Sequence, residues 1–429
     1  MKKVVHLLLG AAISALLSSP ALAQKTEIQV WHSLSGEHRS EFEALVARFN
    51  REQSAVSVDL TRFADSARLQ QAAQEAVAGK RAKPDLLQLP DTHSPEAIAQ
   101  HKDILPLHQL LQRHPISDAS WFLAKTTDFV RDNKGRLLAF PFMAEIPVMY
   151  YNLESYRRAG LDDKKPASTW PELQAHLLDL RNNARVTCPY ATAQQVNVHL
   201  ENLAPVNNKL FITPDNGLKG SKNLSLNFDT LYVRHLSLMV SWQKTELFTK
   251  SSAGNEVVDA FTSGECAVLT AGSGALAKLR SSNIRFGVAP LPFYPQATND
   301  RGAPFITGDA LWVIAGQSPQ RNKGTADFLA FLSKPVTAAQ WHQRTGFLPL
   351  TDAAFRAADV SFYNRIPGAR SIVEQMATAK PQSAAGFRAP HYLRVKPVLN
   401  TALDDALGGK KSPMEALIGA KNEAQKIMR

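Results

Sequence analysis

The sequence contains little cysteine, and it has no long hydrophobic run beyond its N-terminus. Two cysteines in 429 residues are too few for a disulfide scaffold or a cysteine-rich zinc module. No later segment has about 18 consecutive apolar residues, so no transmembrane helix is predicted. Ordinary counts of glycine (22) and proline (25) exclude collagen-like and low-complexity chains. With 44% hydrophobic residues, the chain is predicted to be globular, with two or three domains of about 150 residues each.

The positive net charge lacks the clustering that is typical of nucleic-acid-binding proteins. Lysine and arginine exceed aspartate and glutamate by 49 to 38, but no run of five basic residues occurs. Aromatic and basic residues do not alternate as stacking on single strands requires. A solvated basic surface is the first interpretation, and steering of an anionic ligand is the second.

The first 23 residues have the pattern of a secretory signal peptide. A basic pair at 2–3 precedes an apolar stretch over 4–17, and the small-x-small tripeptide Ala-Leu-Ala ends at Ala23. Cleavage after Ala23 would export the mature chain to the periplasm. A nucleic-acid partner is therefore not expected.

The residues that carry chemistry indicate neither a metal site nor an enzyme. Cys188 and Cys266 are disulfide candidates in an oxidising compartment, with two buried thiols as the alternative. The closest histidine pairs are six residues apart, so they cannot share a helix face as zinc ligands do. No G-x-S-x-G nucleophile elbow occurs. We expect no metal and no cofactor.

Strands and helices alternate along the mature chain. The predicted strands are 28–31, 56–63 and 84–89, and the helices between them are 36–52 and 66–80. This order predicts an α/β unit with a largely parallel sheet. Ligands of such sheets bind beyond the carboxyl ends of the strands. A second α/β unit is predicted to begin near Pro141.

A glycine-rich turn is the candidate ligand-binding element of the second unit. Gly272, Ser273 and Gly274 lie between the predicted strand CAVLT and the helix ALAKLR. Free amides at a helix N-terminus and a serine hydroxyl can hold an anion. A tight strand-to-helix turn without a ligand is an equally good interpretation. A P-loop is excluded because no Lys-Ser/Thr pair follows in the required register.

Several phrases occur together in the order and spacing of the periplasmic solute-binding proteins of ABC importers. They are WHSLSGE, LLAFPFMAEIPVMYYN, AGLDDKKPASTWPEL, SGECAV with AGSG, ALWVIAG and WHQRTGFLPL. The mature chain resembles family 1 of these proteins over its whole length, above all the members that bind glycerol-3-phosphate. The resemblance implies a binding protein, not an enzyme. It also implies a type II fold with two α/β lobes, each a mixed sheet flanked by helices, joined by hinge strands.

The resemblance implies that both lobes are discontinuous in sequence. Lobe one is expected to comprise 24–143 and 303–346, and lobe two 144–302 and 347–429. A small-molecule ligand would close the hinge, and the permease subunits in the inner membrane would recognise the closed form. A monomer is expected.

Three positions match the phosphate-binding residues of the family. Arg394 matches an arginine whose guanidinium suits a phosphate. Ser273, or the amide of Gly272, matches a serine turn, and Gly308 matches a glycine amide. Replacing Arg394 by alanine is expected to abolish binding of an anionic ligand.

Other positions depart from the family pattern. Phe347 replaces a tyrosine, Asp91 replaces a glutamate, and Glu145 stands where the family has a serine. A loop tyrosine has Ser66 or Phe63 as its possible substitute. Two tryptophans of the family align with polar residues, which are Gln194 and Asn197.

These departures keep three functional hypotheses open. The leading ligand is glycerol-3-phosphate or a glycerophosphodiester. A sugar or oligosaccharide is the alternative, because Asp91, Glu145 and Asp309 can accept hydrogen bonds from hydroxyl groups. A third hypothesis, from another class, is an exported α/β hydrolase. A nucleophile paired with a base would distinguish it, and the sequence offers no such pair.

Overall fold

The computed structural model describes residues 25–90, 95–116, 128–220, 222–250, 254–377 and 386–429. The predicted signal peptide at 1–23 and the candidate site residue Asp91 lie outside these ranges.

The described residues form two large sheets and a two-stranded sheet of β8 and β9, with flanking helices. The strands are β1 Thr26–His32, β2 Val56–Arg62, β3 Leu86–Pro90, β4 Ile104–Leu105, β5 Phe140–Glu145, β6 Pro147–Asn152, β7 Cys188–Thr192, β8 Ile212–Thr213, β9 Ser225–Leu226, β10 Phe248–Thr249, β11 Cys266–Gly272, β12 Phe286–Pro290 and β13 Thr307–Ile314. The helices are α1 Gly36–Glu52, α2 Ser66–Val77, α3 Pro95–Ala99, α4 Leu107–Arg113, α5 Leu153–Arg158, α6 Trp170–Asn182, α7 Leu203–Val206, α8 Thr230–Lys244, α9 Gly254–Thr262, α10 Leu276–Ser281, α11 Pro319–Ser333, α12 Pro335–Thr345, α13 Asp352–Ala357, α14 Val360–Arg365, α15 Ala369–Ala377, α16 Tyr392–Leu407 and α17 Pro413–Ile427. The helices in these ranges are too short or too polar to cross a bilayer.

The first sheet mixes parallel and antiparallel pairing. Strands β2, β1 and β3 are parallel, whereas β13 runs antiparallel to β3, β4 and β5. The largely parallel arrangement predicted for the first three strands is therefore confirmed, and the antiparallel β13 makes the whole sheet mixed, as the resemblance implied. An apolar run such as that of β13 predicts a buried strand, but it does not specify the direction of pairing.

The second sheet has the strand order β10-β7-β11-β6-β12. Strands β10, β7 and β11 are parallel, and β6 runs antiparallel to β11 and β12. Cys188 and Cys266 occupy directly opposite positions at the start of β7 and β11. They form a disulfide with a Cα–Cα distance of 4.4 Å.

Local sequence signals explain where α6 begins. The amide of Glu172 donates to Thr169 Oγ1, and Glu172 Oε2 accepts from the Thr169 amide, each at 3.2 Å. This reciprocal capping box satisfies two backbone donors that the first helical turn leaves free. Helix α6 extends from there to Asn182.

In the described part of the chain, two connections between strands cross from one large sheet to the other. Strand β5 ends at Glu145 in the first sheet, and β6 begins at Pro147 in the second. The return crossing lies between Pro290 and Thr307. The fold is therefore a two-lobed α/β fold, and residues near the crossings lie between the lobes. The predicted lobe boundaries stay a prediction.

Candidate binding cleft

Two cavities lie between the two sheets. The first has a volume of about 740 Å³ and the second about 710 Å³. Five residues line both of them: Glu145, Ala193, Gln194, Gly308 and Asp309. Because Glu145 and Gly308 belong to the first sheet, and Gln194 follows β7 of the second, both lobes build this cleft.

The two cavities differ in their remaining polar lining. The first cavity adds Thr192, Gln195, Asn197, Glu201, Lys250, Thr307, Lys396 and Asn400. The second cavity adds Ser33, Ser35, Glu37, His38, Ser66, Gln88, Asn255, Asp259 and Lys278, together with Gly272, Gly274 and Phe347. Both cavities can therefore bind a polar ligand through hydrogen bonds.

Glu145 occupies the boundary between the cavities and contacts the glycine turn. The Gly274 amide donates to Glu145 Oε2 at 3.1 Å, and Gln194 Nε2 donates to Oε1 at 3.4 Å. Burial raises the pKa of Glu145, while these two donors and the charge of Lys396 oppose the increase. A Cβ atom on Gly272 would lie 2.3 Å from Glu145 Oε2. Gly272 thus leaves the space that the carboxylate fills.

A hydrogen-bonded chain joins three strand ends of the first sheet. Gln88 Nε2 donates to the carboxylate of Asp309, and the Ser33 amide donates to Gln88 Oε1 at 2.9 Å. The Ser33 and Ser66 hydroxyls are 3.4 Å apart. Gly308 has a φ of +123°, and a Cβ there would lie 2.0 Å from the Met143 carbonyl oxygen. Only glycine fits at position 308 without displacing the backbone.

His38 and Phe347 form a ring contact beside the turn. Their ring centroids are 4.7 Å apart, and His38 Nε2 lies 2.9 Å from the Gly274 carbonyl oxygen. Burial lowers the pKa of His38, although its backbone hydrogen bonds oppose the decrease. Sequence reasoning missed His38, because α1 reaches the turn only through tertiary packing. Phe347 provides an apolar ring surface where the resemblance implied a tyrosine hydroxyl.

A short π-helical turn over Asn197–Glu201 lines the first cavity. Asn197 Nδ2 donates to Glu201 Oε2 at 3.0 Å, and the Tyr392 hydroxyl donates to Glu201 Oε1 at 2.6 Å. Glu201 is only 1% exposed, so these two donors stabilise a buried carboxyl group. Sequence reasoning missed Glu201 and Lys250, because no local motif marks them.

Helix α16 presents one face to the first cavity. Leu393, Lys396, Pro397 and Asn400 line it at the spacing i, i+3, i+4 and i+7 of a single helical face. Arg394 is exposed and does not line either cavity. One residue corresponds to a rotation of about 100° around a helix, which turns Arg394 away from this face. The same spacing could have identified Lys396 from the sequence.

Ser273 likewise points away from the cleft. It is 5% exposed and lines a separate cavity of about 30 Å³ together with Tyr150 and His342. Within the described part of the chain, its Oγ has no hydrogen-bond partner. Its amide donates to the Ile146 carbonyl oxygen at 2.8 Å. A sequence motif identifies a turn here, but it does not specify which side of the turn the hydroxyl faces.

The structure thus gathers most of the predicted site residues in one cleft. Those that line it are Ser66, Glu145, Gln194, Asn197, Gly272, Gly308 and Phe347. In the ranges that the structure covers, no group of three or more His, Cys, Asp or Glu side chains is suitable for holding a metal ion.

Residues 44–367 match the family model described as bacterial extracellular solute-binding protein. The chain belongs to this family. This solute-binding protein is 33% identical to the sn-glycerol-3-phosphate-binding periplasmic protein UgpB of Pectobacterium atrosepticum, over 98% of the chain and 95% of that protein. It is 32% identical to UgpB of Salmonella typhimurium, over 99% of the chain and 97% of that protein.

Solved structures share the fold of this solute-binding protein. UgpB of Mycobacterium tuberculosis, in complex with glycerophosphocholine, superposes with a TM-score of 0.75 at 21% identity, over 94% of this chain and 98% of that one. The maltose-bound MalE3 of T. maritima gives a TM-score of 0.74 at 17% identity, over 94% and 99%. At these identities the comparison supports the two-lobed fold alone.

Proposed function

We propose that this protein is the periplasmic substrate-binding component of an ABC importer and that it captures glycerol-3-phosphate or a glycerophosphodiester. The observation that carries the proposal is the cleft, whose lining comes from both sheets. A ligand held by both lobes stabilises the closed state, which the permease subunits would recognise. The names of the UgpB relatives support this ligand class.

The chemistry of the cleft suits a ligand that combines one anionic group with hydroxyl groups. Lys396 provides a positive charge in the first cavity, and an ammonium group binds phosphate oxygens through charge-assisted hydrogen bonds. Glu145 and Asp309 lie on the wall that both cavities share. Their oxygens can accept hydrogen bonds from the hydroxyls of a glycerol unit.

A sugar or oligosaccharide is the second candidate, and the number of acidic groups favours it. Glu145, Glu201 and Asp309 line the first cavity, against Lys250 and Lys396. An excess of carboxylates favours an uncharged ligand with many hydroxyl donors over a phosphate. The two candidates therefore require a direct comparison.

Calorimetric titration of the purified mature protein with sn-glycerol-3-phosphate, glycerophosphocholine and maltose distinguishes the two. We expect a phosphate-bearing ligand to bind and maltose to give no heat above dilution. Binding of maltose without binding of either phosphate compound would establish the sugar candidate instead.

Chromogenic phosphate esters and glycosides test the hydrolase hypothesis in parallel. Steady turnover that is lost on replacing a cleft residue would overturn the receptor assignment.

A further inference from the structure

We propose that the Glu145 carboxylate fills the anion position of the 272–274 turn from within the protein, and that the ligand's phosphate binds at Lys396 in the first cavity. This inference rests on the proposed function. A glycine-rich motif would place the phosphate at the turn, whereas this inference places it in the first cavity. Glu145 and Lys396 then determine the specificity for the ligand.

The donors of the turn already have partners inside the protein. The Ser273 amide donates to the Ile146 carbonyl oxygen at 2.8 Å, and the Gly274 amide donates to Glu145 Oε2 at 3.1 Å. The Ser273 hydroxyl belongs to the separate cavity beside Tyr150. A phosphate at this turn would first have to displace one of these contacts.

The space above the turn is filled as well. All three carboxylate atoms of Glu145 lie between 2.3 and 2.7 Å from the position that a Cβ on Gly272 would occupy. The carboxylate therefore rests directly on the turn. Asp309 lines the same wall of the second cavity. A phosphate placed at the turn would lie in direct contact with the Glu145 carboxylate, and like charges repel.

Lys396 carries a positive charge that forms no ion pair with any residue that the structure describes. Among the described residues, it has no recorded hydrogen bond and no carboxylate within 4.0 Å, although its charge acts on Glu145. Lys250, the other lysine of the first cavity, is paired with Asp404 at 2.9 Å. Lys396 is exposed, so it can reach a ligand without first breaking an ion pair.

The acidic groups that face Lys396 in the first cavity have partners of their own. Glu201 accepts from Asn197 and Tyr392, Asp309 accepts from Gln88, and Glu145 accepts from the turn. A phosphate beside Lys396 would direct its glycerol unit towards Glu145 and Asp309, which line both cavities. The carboxylate oxygens on this wall would then accept hydrogen bonds from the hydroxyl groups of the glycerol unit.

A double-mutant cycle with sn-glycerol-3-phosphate and glycerophosphocholine as the probes tests this assignment. We expect Lys396→Ala to weaken binding about tenfold to a hundredfold, as loss of a hydrogen bond to a charged group does. In the Glu145→Ala background the same substitution should weaken binding far less, because the phosphate can then take the freed Gly274 amide. Lys222→Ala, which removes an exposed charge outside both cavities, should leave the dissociation constant unchanged.

Two results would overturn the inference. One is a Lys396→Ala variant that binds within twofold of wild type while Arg394→Ala loses binding, which would give Arg394 the phosphate. The other is equal effects of Lys396→Ala in both backgrounds, since independent sites contribute additively. Thermal melts without ligand establish that each variant is folded. If wild type binds neither phosphate compound, the proposed function itself fails, and the inference fails with it.

Discussion

His342 is a buried polar side chain that stays uncharged at neutral pH. It lies 2.6 Å from the Phe347 carbonyl oxygen through Nδ1 and 2.7 Å from the Tyr363 hydroxyl through Nε2. These distances assign the proton to Nδ1, which donates to the carbonyl, and make Nε2 the acceptor. Burial lowers the pKa of His342 to about 4. The neutral ring thus holds the loop that carries Phe347 into the cleft.

This residue predicts a loss of stability in acid. The folded pKa lies below the value of about 6.5 in the unfolded chain, so the unfolded state binds the proton first. The stabilisation is complete above pH 6.5 and is lost as the pH falls towards 4. We expect His342→Asn to reduce the difference in unfolding free energy between pH 7 and pH 5 by about 2 kcal/mol.

Guanidinium unfolding of both proteins at the two pH values measures this difference. His391→Asn is the matched control, because His391 is exposed and has a φ of +56°, a conformation that asparagine adopts readily. An equal acid sensitivity of wild type and His342→Asn would contradict the assignment of a neutral buried imidazole.

At the scale of secondary-structure elements, the disulfide joins two parallel strands at the end away from the cleft. Cys188 and Cys266 begin β7 and β11, whereas Thr192 and Gly272, at the other ends of these strands, line the cavities. The bridge spans 78 residues of sequence. Closing a loop of this length restricts the unfolded chain, which stabilises the folded state by about 4 kcal/mol.

The double variant Cys188→Ala/Cys266→Ala should therefore unfold with a free energy lower by as much as about 4 kcal/mol. Ligand affinity should persist, because the cleft ends of both strands keep their pairing. Urea unfolding and calorimetry measure the two quantities separately. An unchanged unfolding midpoint, or a loss of affinity in a folded double variant, would show that the bridge acts differently.

At the scale of the whole molecule, two sheets joined by crossing strands form a hinge around the cleft. Glu145 and Pro147 lie in different sheets with only Ile146 between them. A ligand that touches both lobes stabilises their closed arrangement in proportion to its preference for that state.

We expect the radius of gyration from small-angle X-ray scattering to decrease when a saturating phosphate-bearing ligand is added. Identical scattering curves with and without a ligand that calorimetry shows to bind would exclude hinge closure.

Local patterns in the sequence determined much of the fold. The capping box at Thr169 set the start of α6, and the buried positions Phe42, Leu45, Val46 and Phe49 of α1 follow the predicted helical spacing. The alternation of strands and helices indicated the α/β class, because side-chain periodicity within one element depends on local geometry alone. The resemblance of ordered phrases added the two-lobed architecture.

The tertiary structure alone decided which side chains reach the cleft. Sequence placed Ser273 and Arg394 in the site and overlooked His38 and Lys396, whereas the structure turns the first two away and brings the other two in. The antiparallel direction of β13 was also set only by its pairing. The physical reason is the same in each case, because the direction of a side chain at a turn, on a helix face or across a sheet depends on contacts between residues distant in sequence.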